Sequence, residues 1–296
     1  MEWSKTKTMF IIVFLILDLF LATQLFNKYS KGQIDVIQNT SDEERLKADE
    51  ITYDQLPSDN TTSQYVKGKS KIFTNKDIKS IGKNQSALIT KDGTGITSYF
   101  NKPIVVSGQI NQDSMEQVVK KNILYGDQYT FWKYDKDMKQ IIYSQTYKGK
   151  KIYQNINGQI IFYLNDKNEI VSYDQTLLKF GEDSELKEGD VLAPIKAIDT
   201  LHNKGMLKRK SHIKTPDLGY YTRIQSSDLQ LLVPTWHFTV VHDGKTEDFF
   251  VNAFEGEVFN MNNSSSINDP NSNSKNDSPI QDKLDLKEKQ KEPGDY

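Results

Sequence analysis

Four histidines, His202, His212, His237 and His242, are the only imidazoles in the chain, and no cysteine stands beside them. Together they hold all the imidazole or thiolate ligation a transition metal would look for. The absence of cysteine also removes thiolate catalysis and disulfides in one step. His237 and His242 are five apart in a run that reads as a strand, an odd separation that sends their side chains to opposite faces. They are not spaced to share an ion, and the expectation is four exposed or hydrogen-bonded histidines, with no metal and no cofactor.

Two glycine-bearing segments have part of a phosphate-loop pattern. Gly244-Lys245-Thr246 has the end of such a motif, but Thr239 stands where the first glycine should be, so backbone amides could not wrap a phosphate. Gly93-Thr94-Gly95 could begin a dinucleotide loop, yet no third glycine and no helix follow. Both read as turns. No G-x-S-x-G elbow occurs, and no carboxylate pair is singled out for acid-base work. An enzyme is not the expected reading.

The most pointed chemistry belongs to Asp18, near the middle of the apolar run Met9 to Phe26. At about 1.5 Å per helical residue, these 18 residues cover roughly 27 Å, close to the ~30 Å hydrocarbon core of a bilayer. A carboxylate there costs roughly 2.5 to 3.5 kcal/mol, while each central Leu, Ile, Phe or Val returns about 0.3 to 0.6. The segment inserts by a few kcal/mol, and the acid needs a partner. Ile11, Phe14, Asp18, Ala22 and Leu25 share one helical face, where a small residue one turn from a polar one lets another helix approach. These five are the candidate partner-binding residues.

The run is long for a secretory signal, and its exit, LATQLFNKYS, has no good small-x-small cleavage site, so it reads as an uncleaved anchor. Lys5 and Lys7 before the span are nearly matched by Lys28 and Lys31 after it. The short head cannot fold, so a cytoplasmic N-terminus with the bulk outside is expected.

Residues 27–68 are polar and broken, apart from TSDEERLKADEI, where Ser41 and Glu44 fit a capping box; the segment reads as a stalk with one short helix. From Lys69 a pattern occurs twice. Gln112 to Leu124 is a helix with Met115, Val118, Val119 and Ile123 on one face, followed by strands Gln128–Tyr134, Gln140–Tyr147, Ile152–Leu164 and Glu169–Leu178. Ala193 to Asn203 is the second helix, with Leu218–Gln225, Gln230–Val241, Glu247–Phe254 and Glu257–Met261 as its strands.

The expected class is α+β: a head at 1–8, a transmembrane helix at 9–26, the stalk, and helix-plus-antiparallel-meander units at 69–181 and 182–262. Residues 263–296 are too polar to bury a core and read as a disordered tail. A net charge of -2 gives no footprint for DNA or RNA, so nucleic acid is not an expected partner. Fifteen Tyr and fourteen Phe supply a sheet core that needs no disulfide.

Four stretches then point to a family: the opening MEWSKTKTMFIIVFLILDLFLATQLF, the segments ERLKADEITYDQLP and KIFTNKDIKSI, and LGYYTRIQSSDLQLLVPTWHFTV. The chain resembles the YycI family over nearly its whole length to about Met261, most specifically in the W-x-K-T-K start joined to one apolar span. The resemblance implies a membrane-anchored accessory protein of the WalK/WalR (YycG/YycF) two-component system. Such a protein works with YycH on the sensor kinase that governs cell-wall metabolism, with transmembrane helices implicated in the contact. It leaves room for an extracytoplasmic ligand, and it carries no role over to the polar tail. A competing reading is a peptide- or protease-binding module, because FFVNAFEGEVFNM resembles the strand-turn-strand of PepSY-type domains. An extracytoplasmic hydrolase is a third.

Overall fold

A computed structural model describes residues 3–31, 42–58 and 61–259. By contacts the chain divides into residues 1–258 and 259–296, and the architecture below is that of the first unit. The expected disordered tail and the cap at Ser41 lie outside the described residues.

The first helix runs Trp3–Lys31, longer at both ends than the expected 9–26. No glycine or proline interrupts these residues, so nothing stops the helix where the apolar run ends.

The class is α+β, as expected, with two mainly antiparallel sheets each carrying a helix. In the first sheet the strands lie in the order Gln85–Ile89, Gly95–Val105, Glu169–Thr176, Gln159–Leu164, Gln140–Tyr147 and Tyr129–Asp135. Period-2 alternation puts Ile141 with Tyr143, and Ile160 with Phe162, on the buried face. Onto that face the helix Gln112–Asn122 lays Met115 and Val119, with Ile123 just past its end. Asn111 caps it, its side chain accepting from the Ser114 amide at 3.0 Å. At the other end Asn122 accepts from Asn84 Nδ2 at 2.9 Å, fastening the helix to the start of the sheet.

The second sheet is built on one long strand, Gln230–His242. Lys245–Asn252 pairs with its second half, Asp217–Tyr221 with Val233 to His237, and Thr62–Ser70 with Gln230 to Leu232. Helix Pro194–Asn203 covers it, and Ala197, Ile198 and Leu201 pack with Trp236, Phe238 and Val240. Trp236 is too large to bury without a partner for its indole, and Nε1 donates to Leu192 O at 2.8 Å.

The stalk expectation needs correction. Helix Asp42–Ala48 buries Leu46 in the second core, and Arg45 bridges its own Asp42 and Asp199 of the covering helix, each at 2.9 Å. Strand Thr62–Ser70 is a member of the second sheet, and Thr52–Tyr53 runs parallel to His212–Ile213 on it. Residues before the first meander therefore complete the second one. Leu178–Lys179 and Glu185–Asp190 also join Thr62–Ser70, which ties the two halves together.

Candidate functional site

Three places in the structure gather side chains that could do chemistry: the anchor helix, the histidines, and a cleft beside the first sheet.

On the anchor helix the stretch Lys7–Gln24 is long and apolar enough to cross a membrane, and none of it is buried within the chain. With about 100° per residue, Ile11, Phe14, Asp18, Ala22 and Leu25 fall within an arc of roughly 80°. Ile11 and Phe14 are 64% and 60% exposed, and Asp18 and Ala22 are exposed too. Leu25 lies in the helix, its side chain outside the described residues. Among the described residues none hydrogen-bonds the Asp18 carboxylate. At the start of the helix Lys7 Nζ sits 3.9 Å from the centre of the Trp3 ring, an aromatic and a cation suited to a membrane–water interface.

The four histidines are brought to four different carboxylates. His202 meets Asp49 at 2.7 Å, His212 meets Asp54 at 3.1 Å, His237 meets Asp248 at 2.8 Å, and His242 meets Asp243 at 3.1 Å. Among the described residues no three His, Asp or Glu side chains cluster to hold a metal ion. His237 is the buried one, lying against Phe250, Trp132 and Tyr153 with ring centroids 4.9, 5.0 and 5.2 Å away. Burial works to raise the pKa of Asp248, but the His237 bond and charge, with a bond from Thr239, outweigh it and hold the carboxyl below its usual range. The pair joins neighbouring strands of the second sheet, with Thr239 Oγ1 donating to the same carboxylate at 3.1 Å. The two turns tested as phosphate loops form as turns, with Gly93 at φ 76 and Gly244 at φ 71.

The cleft, about 460 Å³, lies between helix Gln112–Asn122 and the edge of the first sheet. Val119 and Ile123 form its apolar wall, Tyr129 and Tyr143 its base, and Glu116, Lys120 and Asp127 stand around it. Three features position these groups. Gly126 packs so tightly on Val119 that a Cβ would lie 2.9 Å from its carbonyl oxygen, which requires glycine. Tyr125 holds a left-handed backbone, φ 55, unusual for a bulky residue, and its hydroxyl donates to Asp77 at 3.1 Å. Gln112 accepts from the Phe131 amide at 2.7 Å and so caps the open edge of the last strand.

Tyr143 is the anomaly. Only 1% of it is exposed, and its hydroxyl has no hydrogen-bond partner, a situation that costs about 1 to 3 kcal/mol. Burial, and then the charge of Glu116, push its pKa up, so it is a neutral hydroxyl at every physiological pH. Sequence reading missed this cleft. Tyr143 occupies an alternating strand position, and Glu116 and Lys120 lie on the exposed face of the helix, so no local pattern marks them.

Comparison with known proteins decides the lineage, since the YycI protein family matches residues 31–254, about three-quarters of the chain. The chain belongs to the YycI family. The match leaves out the opening helix, which the sequence reading took as the most specific part of the resemblance. YycI is a family of regulatory accessory proteins, so a general association with the WalK system follows from membership. Family and apolar helix together indicate a single-pass membrane protein.

Among solved structures, the chain is similar to an uncharacterized protein from Eubacterium rectale at 12% identity and TM-score 0.44, over 72% of this chain and 91% of that one. It is similar to the C-terminal domain of Bacillus megaterium YpeB at 11% identity and TM-score 0.36, over 62% and 91%. YycH from Bacillus subtilis matches at 12% identity and TM-score 0.35, over 62% and 52%. Among curated proteins no relative matches the chain.

Proposed function

We propose that this YycI-family chain adjusts the WalK (YycG) sensor kinase together with YycH, and through it cell-wall metabolism. Its anchor helix packs against the partners' transmembrane helices through Ile11, Phe14, Asp18, Ala22 and Leu25. The body works on the extracytoplasmic side, where it sets the stability of the complex.

One observation carries this reading: a carboxylate stands midway along an exposed apolar helix and finds no partner among the described residues. In hydrocarbon such a group is supplied from a neighbouring helix, and the small Ala22 one turn away allows the approach. A sensor kinase switches between helix arrangements, and a partner that binds one of them better shifts the population by its differential affinity. Coupling of about 1 to 3 kcal/mol is sufficient. The short, lysine-bearing head supports a cytoplasmic N-terminus.

The test expresses the anchor alone and, separately, the full chain with Asp18→Leu, and measures WalR-dependent transcription. A response to the anchor, and a changed response with the Leu variant, are expected. An inert anchor together with a Leu variant that behaves as wild type overturns the intramembrane mechanism.

A further inference from the structure

We propose that the cleft under helix Gln112–Asn122 is a binding site for a small zwitterion with an apolar body, in the size class of a dipeptide of aliphatic residues. It is independent of the kinase reading and survives or fails on its own.

The volume, about 460 Å³, falls in the range of sites that enclose small molecules. Val119 and Ile123 offer the wall an aliphatic side chain needs. The charges around the cleft carry both signs: Glu116 and Lys120 lie one helical turn apart on the same face, with Asp127 beyond the helix end. Glu116 and Lys120 are placed to pair with each other, yet among the described residues none of the three makes an ion pair. An anion alone would face two carboxylates, and a cation alone would leave Lys120 idle. A ligand with an ammonium toward Glu116 and Asp127 and a carboxylate toward Lys120 uses all three.

The Tyr143 hydroxyl supplies the independent sign of a ligand. It is buried, it belongs to a residue that lines the cleft, and it lacks a partner. A pure hydrocarbon would leave it unpaired, whereas a ligand N–H or carbonyl satisfies it. The base is also held rigid, because Tyr129 next to it donates its hydroxyl to Thr176 O. Preorganised walls around one unsatisfied polar group describe a site more than a packing fault.

The experiment titrates the full chain in detergent micelles with Leu-Leu, following amide NMR shifts of residues 112–129. Two blocked forms, acetyl-Leu-Leu and Leu-Leu amide, each remove one ligand charge. Saturable shifts around Val119 and Ile123 are expected, weakened at least fivefold by Glu116→Gln and by Lys120→Met. Lys120→Met should no longer distinguish Leu-Leu from its amide, and Glu116→Gln should distinguish it less from its acetylated form. Both substitutions are on an exposed helix face and leave the fold intact. Tyr143→Phe should weaken binding tenfold; a titration unchanged by Tyr143→Phe overturns the proposal. Absence of saturable shifts at 10 mM dipeptide, or shifts indifferent to both charge variants, overturns the proposal.

Discussion

Trp132 and His237 meet ring to ring, their centroids 5.0 Å apart, one from the edge strand of the first sheet and one from the central strand of the second. The contact exists because the register between Phe131 and Lys133 slips, so that Trp132 is the extra residue of a bulge and turns away from its own core. Tyr153 and Phe250 close the cluster at 5.7 and 6.4 Å from the same indole.

Because that cluster adds to the strand pairings that tie the two halves together, Trp132→Ala should lower stability by about 2 to 3 kcal/mol, a modest value for a large aromatic because Trp132 is only half-buried. Urea unfolding followed by circular dichroism measures it. A loss below about 0.5 kcal/mol would show that the strand pairings alone hold the halves together.

Gly219 faces Thr235 in the second sheet, and a Cβ there would fall inside van der Waals contact of both Lys151 O and the Tyr153 ring. Neither neighbour can yield, since Tyr153 is buried and its amide bonds Tyr220 O at 2.8 Å. Gly219→Ala is expected to cost about 3 kcal/mol or more, read as a fall in Tm.

Leu46 tests whether residues 42–48 are body or tether. Leu46→Ala should destabilise by about 2 to 5 kcal/mol, as a fully buried leucine does, whereas a stalk position would give a change near zero. Proteolysis within residues 42–58 should likewise rise in the variant.

Asp77 sets a pH dependence. Burial raises its pKa, but bonds from the Thr74 side chain and amide, Lys71 and Tyr125 win and bring it from 3.8 to about 2. A carboxyl lower in the folded state contributes stability that is present above its unfolded value and is lost as pH falls through the folded one. The contribution is at most on the order of 2 kcal/mol above pH ~5, fading between about pH 4 and pH 2. Asp77→Asn should therefore weaken the protein at pH 7 and be nearly matched by wild type at pH 2, in denaturant melts at each pH.

In the membrane, single cysteines at Phe14 or Ala22 should crosslink to partner helices, while cysteines at Val13 or Phe20, on the opposite side of the helix, should not. The native chain has no cysteine to confuse the result. Equal crosslinking all round would remove the case for a defined face.

Periodicity made the helices readable. Gln112–Asn122 and Pro194–Asn203 form with Met115, Val119, Ile198 and Leu201 inward, because an apolar stripe at helical spacing has one way to bury itself. The alternating strands were readable for the same reason. Thr62–Ser70 was not, since its inward residues include Ser63, Gly68 and Ser70, small or polar types that hide the alternation and look like linker.

By itself the sequence determined the class, the two helix-on-sheet layers, the apolar anchor and the family. The first three rest on local patterns of hydrophobicity, which the chain carries wherever it folds, and the family on the resemblance of four particular stretches. The tertiary structure alone decided that residues 42–58 and 61–70 complete the second layer, that His202 and His212 meet carboxylates far off in the chain, and that Tyr143 is left unpaired beside a cleft. Such contacts depend on which strands become neighbours and where a bulge turns a side chain, and that choice is made by closure of the whole core rather than by any segment within it.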